Sequence, residues 1–169
     1  LAAKRLESYS KIKFEFVGQG SDFNRIVQLS EQLGLSNIHF AGAHPFKEMP
    51  EFYSMADLFL VTLINDPVVS LAFPEKVQTY MASRRPIVGA VGGETSHVIN
   101  ESHGGICVSS GDDSGLANAI LTYYQDRDRA KRDGLNARAY YDEHFTKKKF
   151  YDTILINIEK ASKWRKENV

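Results

Sequence analysis

The sequence predicts an α/β domain, in which helices cover both faces of a parallel sheet. Short apolar, β-rich segments recur along the chain, and segments with helical periodicity separate them. Strands that alternate with helices at this spacing form βαβ units, whose strands are parallel and lie between two layers of helices. The 169 residues, of which 43% are hydrophobic, are enough for one such domain.

The strands are predicted from segments that are short and nearly continuous in apolar residues, as burial on both faces requires. They are residues 11–17 (KIKFEFV), 37–42 (NIHFAG), 57–63 (DLFLVTL), 86–91 (PIVGAV) and 105–109 (GICVS). We therefore expect five parallel strands, connected by helices.

Two of the connecting helices have recognisable ends. Residues 22–33 carry apolar side chains at helical spacing after a candidate cap at Ser21, and Gly34 follows where a left-handed residue would end the helix. Residues 112–125 repeat this pattern, with Asp112 as the candidate cap. Both segments are predicted to be amphipathic helices that pack on the sheet.

From about residue 126 the pattern is helical only. Phe150, Ile154 and Ile158 lie four residues apart, and lysines occupy the other side of the same helix. We interpret this apolar stripe as the face with which the helix covers its own domain. Contact with a partner is the alternative.

Composition restricts the class of ligand. Lysine plus arginine and aspartate plus glutamate each number 21, so the formal charge is zero, which argues against a polynucleotide as the main ligand. A neutral net charge does not exclude a small anion as the ligand. Cys107 is the single cysteine, so we expect a buried structural thiol and a reducing compartment. No segment has the length of a membrane span or the form of a signal peptide.

The histidines do not predict a metal site, because none of them has the spacing of metal ligands. They are His39, His44, His97, His103 and His144. His44 is the one of interest. It follows a predicted strand end in the segment AGAHPF, where a ligand-binding loop is expected, and a solvent-exposed loop histidine is the alternative.

The first candidate motif is FEFVGQGSDF, in which a strand runs into Gly18, Gln19 and Gly20 before a helix. Phe23 occupies the third glycine position of the dinucleotide fingerprint, and no acidic residue ends the next strand to bind a ribose, so an NAD site is not expected. A tight turn and an exposed helix start remain. They lie at the carboxyl ends of the strands, where open α/β sheets bind ligands. A structural turn is the alternative.

The second candidate motif is SLAFPEKVQTYMASRRPIVGAVGGE, residues 70–94. Proline suits a first helical turn, so we expect a helix from Pro74. The backbone amides of Glu75, Lys76 and Val77 would then be unpaired and directed toward the loop of residues 63–73. Such a helix start is an anion site.

Side chains add to this motif. Lys76 brings a positive charge to the helix start, and Glu75 and Thr79 share one helical face, from which a carboxylate and a hydroxyl reach a polyhydroxylated ligand. Ser70 lies in the loop that precedes the helix. An ordinary crossover helix with polar surface residues is the alternative.

Three stretches in order resemble one family: FEFVGQGSDFNRIVQLSEQLGLSNIHFAGAHPFKEMPEFYSMADLFLVTL, FPEKVQTYMASRRPIVGAVGGET and GGICVSSGDDSGLANAILTYYQD. From residue 1 to about 150 the chain resembles the C-terminal, nucleotide-sugar-binding domain of family 4 (group 1) glycosyltransferases. The branch that builds bacterial surface polysaccharides is the most similar. The resemblance implies a Rossmann-like parallel sheet, the C-terminal half of a GT-B fold, followed by C-terminal helices.

The resemblance implies the donor-binding half of a retaining glycosyltransferase. The nucleotide diphosphate sugar would be a substrate, with no cofactor and no bound metal, and the acceptor would be a glycan or a lipid-linked sugar. In the family, the acceptor site and the catalytic residue belong to an N-terminal domain, so no catalytic residue is assigned in this chain. A catalytically inactive nucleotide-sugar-binding module or partner subunit is the main rival, and a cofactor-binding dehydrogenase domain is a weaker one.

The resemblance also implies the site residues. In the family, two glutamates separated by seven residues flank the helix start; here the first position is Leu71 and the second is Thr79, and Glu75 is the candidate substitute. A threonine hydroxyl makes neutral hydrogen bonds where a carboxylate makes charge-assisted ones. The candidate nucleotide-sugar-binding residues are Gly18, Gly20, His44, Ser70, Pro74, Glu75, Lys76 and Thr79. Arg84 replaces a helix-ending glycine, which we ascribe to a favourable cation at a helix C-terminus.

The resemblance finally implies that residues 1–169 are one domain of a longer protein. The N-terminal domain and this domain's own first strand would be absent, so strands 11–17 and 57–63 would flank the missing strand, both apolar on two faces. Self-association is an expected consequence. We expect a cytoplasmic protein, with a peripheral position at the inner face of the membrane as an open alternative for the full-length chain.

Overall fold

The strands form two parallel groups. The computed structural model describes residues 1–168, with side chains through residue 164. Within these residues, β1 (Phe14–Val17) pairs with β2 (Ile38–Gly42), and the second group has the order β3 (Phe59–Thr62), β4 (Ile87–Ala90), β5 (Gly105–Val108). Each strand lies inside the segment that predicts it, so the prediction of five parallel strands is confirmed.

Helices connect and cover these strands. They are α1 (Ala2–Arg5), α2 (Phe23–Gln32), α3 (Met49–Met55), α4 (Pro67–Ser70), α5 (Glu75–Ala82), α6 (Gly93–Glu101), α7 (Asp113–Gln125), α8 (Arg127–His144) and α9 (Lys147–Asn168). A short 3-10 turn, Phe46–Glu48, precedes α3. After β5 the chain is helical, as the sequence predicts.

The ends of α2 follow the prediction at one terminus only. The helix ends where expected, because Gly34 takes the left-handed conformation with φ +64°. It begins at Phe23 with Asp22 at the capping position, so the predicted cap at Ser21 is wrong. The Asp22 carboxylate makes no capping hydrogen bond and pairs with Arg25 Nη2 at 2.6 Å, since that guanidinium lies one turn further along the helix.

The cap of α7 is confirmed. The Asp112 carboxylate accepts a hydrogen bond from the Gly115 amide at 2.8 Å, which satisfies one of the free amides of the helix start. The apolar face of α7, with Leu116, Ile120 and Tyr123, is buried. These side chains join α1, Phe14 of β1 and alternate residues of β4 in one apolar layer, which we call the first core.

The opposite face of the sheet carries the second core. It is formed by β3, α5, α6 and α8 and includes Phe59, Val61, Val77 and Met81. All four residues of β4 are buried and alternate between the two layers, because successive side chains of a strand point to opposite faces. The second group of strands is therefore covered by helices on both sides, and the Rossmann-like fold class is confirmed.

Strand β1 differs from this pattern. Phe14 enters the first core, but Glu15 is exposed on the other face, where its carboxylate lies 2.7 Å from Nδ1 of His39. The expectation that segment 11–17 is apolar on two faces is therefore wrong. The alternation of phenylalanine with glutamate in FEF is the period of a half-buried strand.

Strand β3 has the expected burial on two faces. Val61 is fully buried in the second core, and Leu60 packs against the first core. Cys107 of β5 is half-buried against the second core, where burial raises the pKa of its thiol. A thiol with a raised pKa forms little thiolate, which fits the predicted structural role.

The apolar stripe of α9 is exposed. Phe150 and Ile158 leave about three fifths of their surface in solvent, at 61% and 60%, and Ile154 leaves 38%. The interpretation that this stripe covers its own domain is therefore wrong for the described residues, because helical periodicity shows that a face is apolar and not what covers it. None of the described helices is long and apolar enough to cross a membrane.

Arg84, two residues after the end of α5, has an unusual backbone conformation. Arg84 has φ +59°, a left-handed conformation that favours glycine. A favourable charge at the helix C-terminus therefore explains only part of why arginine replaces glycine here. The Arg84 carbonyl lies so close to α8 that a Cβ at Gly134 would approach it to 2.5 Å. Close packing of α8 therefore fixes this strained turn.

Candidate functional site

The candidate site is formed by the loops that follow the carboxyl ends of the strands in each parallel group. The Gly18 turn follows β1, the His44 loop follows β2, and α4 and the start of α5 follow β3. In open α/β sheets, ligands bind at the carboxyl ends of the strands. The predicted site residues thus lie at the carboxyl ends of the strands, as expected. Their contact with a ligand stays a prediction.

The Gly18 turn is a tight connection between β1 and α2. Gly18 has φ +131°, which only glycine adopts readily, and its amide donates to the Gly42 carbonyl at 2.7 Å. Below the turn lies a shallow, mainly apolar pocket of about 220 Å³, lined by Phe16, Phe23 and Phe40 among others. Gly18 thus allows the backbone to turn, and aromatic side chains line the pocket beneath it.

The start of α2 already carries a negative charge. Asp22 stands at the capping position, and the Arg25 guanidinium holds the pKa of its carboxyl below the usual value, so Asp22 is ionised at neutral pH. The Asp22 carboxylate makes no capping hydrogen bond, but its negative charge beside the helix start disfavours a second anion there. This arrangement favours α5 over α2 as the main anion site.

The start of α5 has two free amides. Pro74 has extended geometry, φ −63° and ψ 133°, and stands at the capping position, so the helix begins at Glu75. The Val77 amide donates to the Pro74 carbonyl at 2.9 Å, and the prediction that this amide is unpaired is wrong, because the bond closes the first turn. In the described part of the chain, the amides of Glu75 and Lys76 have no acceptor.

The core fixes the position of this helix start. Val77 and Met81 are fully buried in the second core, and the Tyr80 ring stacks on the Phe59 ring of β3 at 4.2 Å with an interplanar angle of 6°. The stacking and the burial anchor α5 on both sides of its first two turns. The free amides are therefore held rigidly at the end of β3.

The polar side chains of α5 are available to a ligand. Glu75 and Lys76 are exposed, and neither side chain has an ion pair or hydrogen bond with another described residue. Thr79 is half-buried and its carbonyl accepts from the Ser83 hydroxyl at 2.8 Å, while the Thr79 hydroxyl has no partner among the described residues. Two hydrogen-bonding groups and one cation thus stand near the free amides.

The loop before α5 is locally ordered. Asp66 caps α4, since its carboxylate accepts from the amides of Val68 and Val69 at 2.8 and 3.1 Å. The Ser70 hydroxyl donates to the Asp66 carbonyl at 2.9 Å, so its oxygen remains available as an acceptor. Leu71, at the position of the first family glutamate, is 82% exposed.

Two residues of α6 hold this loop, and the sequence analysis did not assign either of them. Gly93 has φ +59°, and a Cβ there would lie 1.9 Å from the Ser70 carbonyl oxygen. Thr95, fully buried, donates its hydroxyl to the Ala72 carbonyl at 3.0 Å. The double glycine after β4 was the available signal, because paired glycines after a strand mark a close backbone approach.

His44 is engaged by its own loop. Its Nδ1 lies 2.9 Å from a Glu48 carboxylate oxygen and its Nε2 lies 3.2 Å from the Ala41 carbonyl oxygen. The hydrogen bond with Glu48 is the main cause that raises the pKa of His44. The ring of Phe52 packs at 4.7 Å. His44 therefore fixes the turn after β2, and its predicted contact with a ligand is limited to the remaining ring surface.

A larger depression lies at the opposite end of the strands. It measures about 510 Å³ and is lined by His103, Arg129, Arg132 and Asp133 among others. Its buried carboxylate is already satisfied, because Asp133 accepts from the Tyr123 hydroxyl at 2.8 Å and from Arg129 at 3.4 Å. Within residues 1–168, no group of three or more His, Cys, Asp or Glu is arranged to hold a metal ion.

Solved structures share this fold. A glycosyltransferase from Rickettsia africae matches with a TM-score of 0.80 and 19% identity over 95% of this chain and 43% of its own. Sucrose-phosphate synthase from Thermosynechococcus elongatus matches with 0.76 and 20% identity over 99% of this chain and 43% of its own. HepE from Anabaena, solved in complex with UDP-glucose, matches with 0.75 and 21% identity over 88% of this chain and 41% of its own.

These matches define the class, a Rossmann-like domain of the kind found in GT-B glycosyltransferases. The sequence profile described as "Glycosyl transferases group 1" matches residues 1–140, so the chain belongs to that family. No curated protein sequence matches significantly. The chain spans less than half the length of the solved structures it matches.

Proposed function

We propose that this chain is the donor-binding half of a retaining glycosyltransferase, which moves a sugar from a nucleotide diphosphate donor to a glycan or lipid-linked acceptor. The start of α5 carries the proposal. It presents two free amides and the exposed Lys76 at the carboxyl end of β3, on a helix fixed by the second core. A diphosphate fits such a helix start, because the amides and the helix dipole favour negative charge.

The arrangement suits the chemistry of the transfer. When the bond between sugar and diphosphate breaks, negative charge develops on the departing phosphate oxygen. Donors already in place stabilise that charge without reorganising, and this is often the largest contribution to catalysis. The amides of Glu75 and Lys76 and the Lys76 ammonium group would supply it. Thr79 or Glu75 would bind the ribose hydroxyls, and the Ser70 oxygen would accept from the donor sugar.

Membership of the group 1 family supports nucleotide-sugar transfer. Two structural neighbours were solved with related ligands, HepE with UDP-glucose and TarM from S. aureus with UDP. A cytoplasmic location belongs to the same proposal and rests on the single free cysteine, which fits a reducing compartment. Action in the synthesis of a bacterial surface polysaccharide rests on the sequence resemblance.

A second candidate function is a nucleotide-sugar-binding module without catalysis. Leu71 and Thr79 stand at the positions of the two family glutamates, and the exposed Leu71 offers no polar group to a sugar. Such a chain would bind the nucleotide and support a partner subunit.

Calorimetric titration of residues 1–169 with UDP, GDP and NAD tests the shared part of both candidates. We expect one of the two nucleoside diphosphates to bind with a dissociation constant of millimolar or below and NAD not to bind. Tighter binding of NAD would favour a dehydrogenase domain, and no binding of any nucleotide at millimolar concentration would refute the proposal. Transfer of sugar by the full-length protein distinguishes the transferase from the inactive module.

A further inference from the structure

The turn between β3 and α5 exposes two aliphatic side chains beside the candidate anion site. Val68 of α4 leaves 76% of its surface in solvent, and Leu71, the residue after α4, leaves 82%. They stand three residues apart on one helical turn, so their side chains are neighbours on the same face. Apolar residues exposed singly are ordinary on a protein surface, but an adjacent pair at a candidate ligand site forms an apolar contact surface.

The backbone of this turn has no hydrogen-bond donor left for a ligand. The amides of Val68 and Val69 both donate to the Asp66 carboxylate, at 2.8 and 3.1 Å. The next three amides donate to carbonyl groups of the same turn, at 2.9, 3.2 and 3.0 Å. They belong to Ser70, Leu71 and Ala72. A sugar hydroxyl that approaches residues 68–72 therefore finds no free amide there.

The side chains of the turn supply no free donor either. Within residues 66–72 the Ser70 hydroxyl is the one side-chain donor, and its proton is directed to the Asp66 carbonyl at 2.9 Å. Helix α6 fixes the turn from outside, because the Ala72 carbonyl accepts from the Thr95 hydroxyl at 3.0 Å. The turn thus offers a ligand acceptor oxygens and aliphatic surface, and no group that donates to a sugar oxygen.

The apolar pair lies within reach of a donor bound at α5. Leu71 precedes Glu75 by four residues, so their Cα atoms are at most about 15 Å apart. In the proposed function the diphosphate binds the amides of Glu75 and Lys76, and the ribose lies further along α5 at Thr79. The sugar is attached at the opposite end of the diphosphate from the ribose. An extended donor therefore places its sugar on the side of the turn that precedes α5.

We propose that the donor sugar carries a methyl group, as an acetamido sugar or a 6-deoxy sugar does, and that this group lies on Val68 and Leu71. The inference rests on the proposed function, because it adds the class of sugar to the same site. A hydroxyl group at this place would lose its hydrogen bonds with water and gain no donor from the turn. A methyl group loses none and covers exposed apolar surface.

Calorimetric titration with pairs of donors that share a base gives the first test. UDP-N-acetylglucosamine against UDP-glucose tests the acetamido methyl group, and GDP-rhamnose against GDP-mannose tests the 6-deoxy methyl group. We expect the methyl-bearing member of one pair to bind about fivefold more tightly or better, and that pair identifies the source of the methyl group.

The free nucleoside diphosphates separate the two ways in which this test can fail. Equal or reversed affinities within both pairs, with UDP or GDP still bound, would overturn the methyl-bearing sugar and leave the proposed function standing. If neither UDP nor GDP binds, the proposed function fails and the class of sugar fails with it.

Substitution of the apolar pair gives the second test. Val68→Ser combined with Leu71→Ser should abolish the preference and leave the affinity for the free diphosphate unchanged, since the phosphates bind at α5. Leu71→Met keeps the apolar surface and should keep the preference. Leu135→Ser is the matched control, because Leu135 is an exposed leucine of α8, and it should change neither quantity. A preference that survives the double substitution, or a parallel loss of diphosphate binding, would contradict the proposed contact.

Discussion

Thr79 is the residue at which this chain departs most informatively from its family. Thr79 is half-buried, its hydroxyl has no partner among the described residues, and it lies one turn after the free amides of α5. A neutral hydroxyl gives a weaker hydrogen bond to a ribose than a carboxylate would. We therefore expect a change at this position to alter the affinity for a nucleotide more than the stability of the fold.

We predict that Thr79→Glu tightens binding of a nucleoside diphosphate by about 1 kcal/mol, because one neutral hydrogen bond becomes charge-assisted. Calorimetric titration measures the change. Gln78→Glu is the matched control, since it adds the same charge one position away and should not tighten binding. Unchanged affinity in folded Thr79→Glu would mean that Thr79 does not contact the ribose.

The His44–Glu48 hydrogen bond makes the stability of the loop after β2 dependent on pH. Because the hydrogen bond with Glu48 raises its pKa in the folded state, the protonated ring stabilises the fold below the unfolded pKa of about 6.5. This stabilisation is lost as the pH rises through the folded pKa. The loop after β2 is thus expected to be most stable at mildly acidic pH.

We predict that Glu48→Gln lowers the pKa of His44 toward its ordinary value, because the hydrogen bond to a carboxylate that raises this pKa is lost. Titration of the ring by nuclear magnetic resonance measures it. Glu51→Gln removes a nearby carboxylate that has no contact with His44 and should leave the pKa unchanged. A raised pKa that survives Glu48→Gln would contradict the assignment.

At the scale of secondary-structure elements, contacts from α6 position the segment before α5, where the candidate site is predicted. Gly93 allows the Ser70 carbonyl to approach, and Thr95 bonds the next part of the same loop. The loop that carries Ser70 and Leu71 is therefore positioned by an element from another part of the chain. The position of this loop depends on Gly93, which belongs to a different element.

We predict that Gly93→Ala lowers the free energy of unfolding by about 2 kcal/mol or more, because the added Cβ meets backbone and the residue has positive φ. Denaturant unfolding measures the loss. Gly92→Ala is the matched control, since no atom lies within 4 Å of its Cβ, and its cost should be well below that of Gly93→Ala. Equal costs would contradict the close approach as the cause.

The sequence predicted elements where local pattern determines them. Apolar strands, the Asp112 cap and the left-handed Gly34 follow from burial and backbone preference within a few residues. The misassigned Ser21 cap and the exposed α9 stripe depend on partners chosen in three dimensions. The Ser70–Gly93 contact joins residues far apart in sequence, so no local pattern contains it.

At the scale of the whole molecule, the residue pattern predicted the fold class, and the family resemblance predicted that the strands of segments 11–17 and 57–63 do not pair with each other. Alternation of strands with helices specifies βαβ units, and the two cores confirm them. In the described part of the chain no ladder joins β1 to β3, and the residues of the two strands alone do not specify this. The Gly18 turn and the start of α5 follow strands of different groups, β1 and β3.

Mapping of UDP on the isotopically labelled chain by amide chemical shifts tests the central claim most directly. We expect millimolar UDP to shift the amides of Glu75, Lys76 and the Gly18 turn, at the carboxyl ends of β1 and β3. Amides around the depression at the other end of the strands, near Asn136, should not move. Shifts confined to that depression, or no shifts at all, would contradict a nucleotide site at the start of α5.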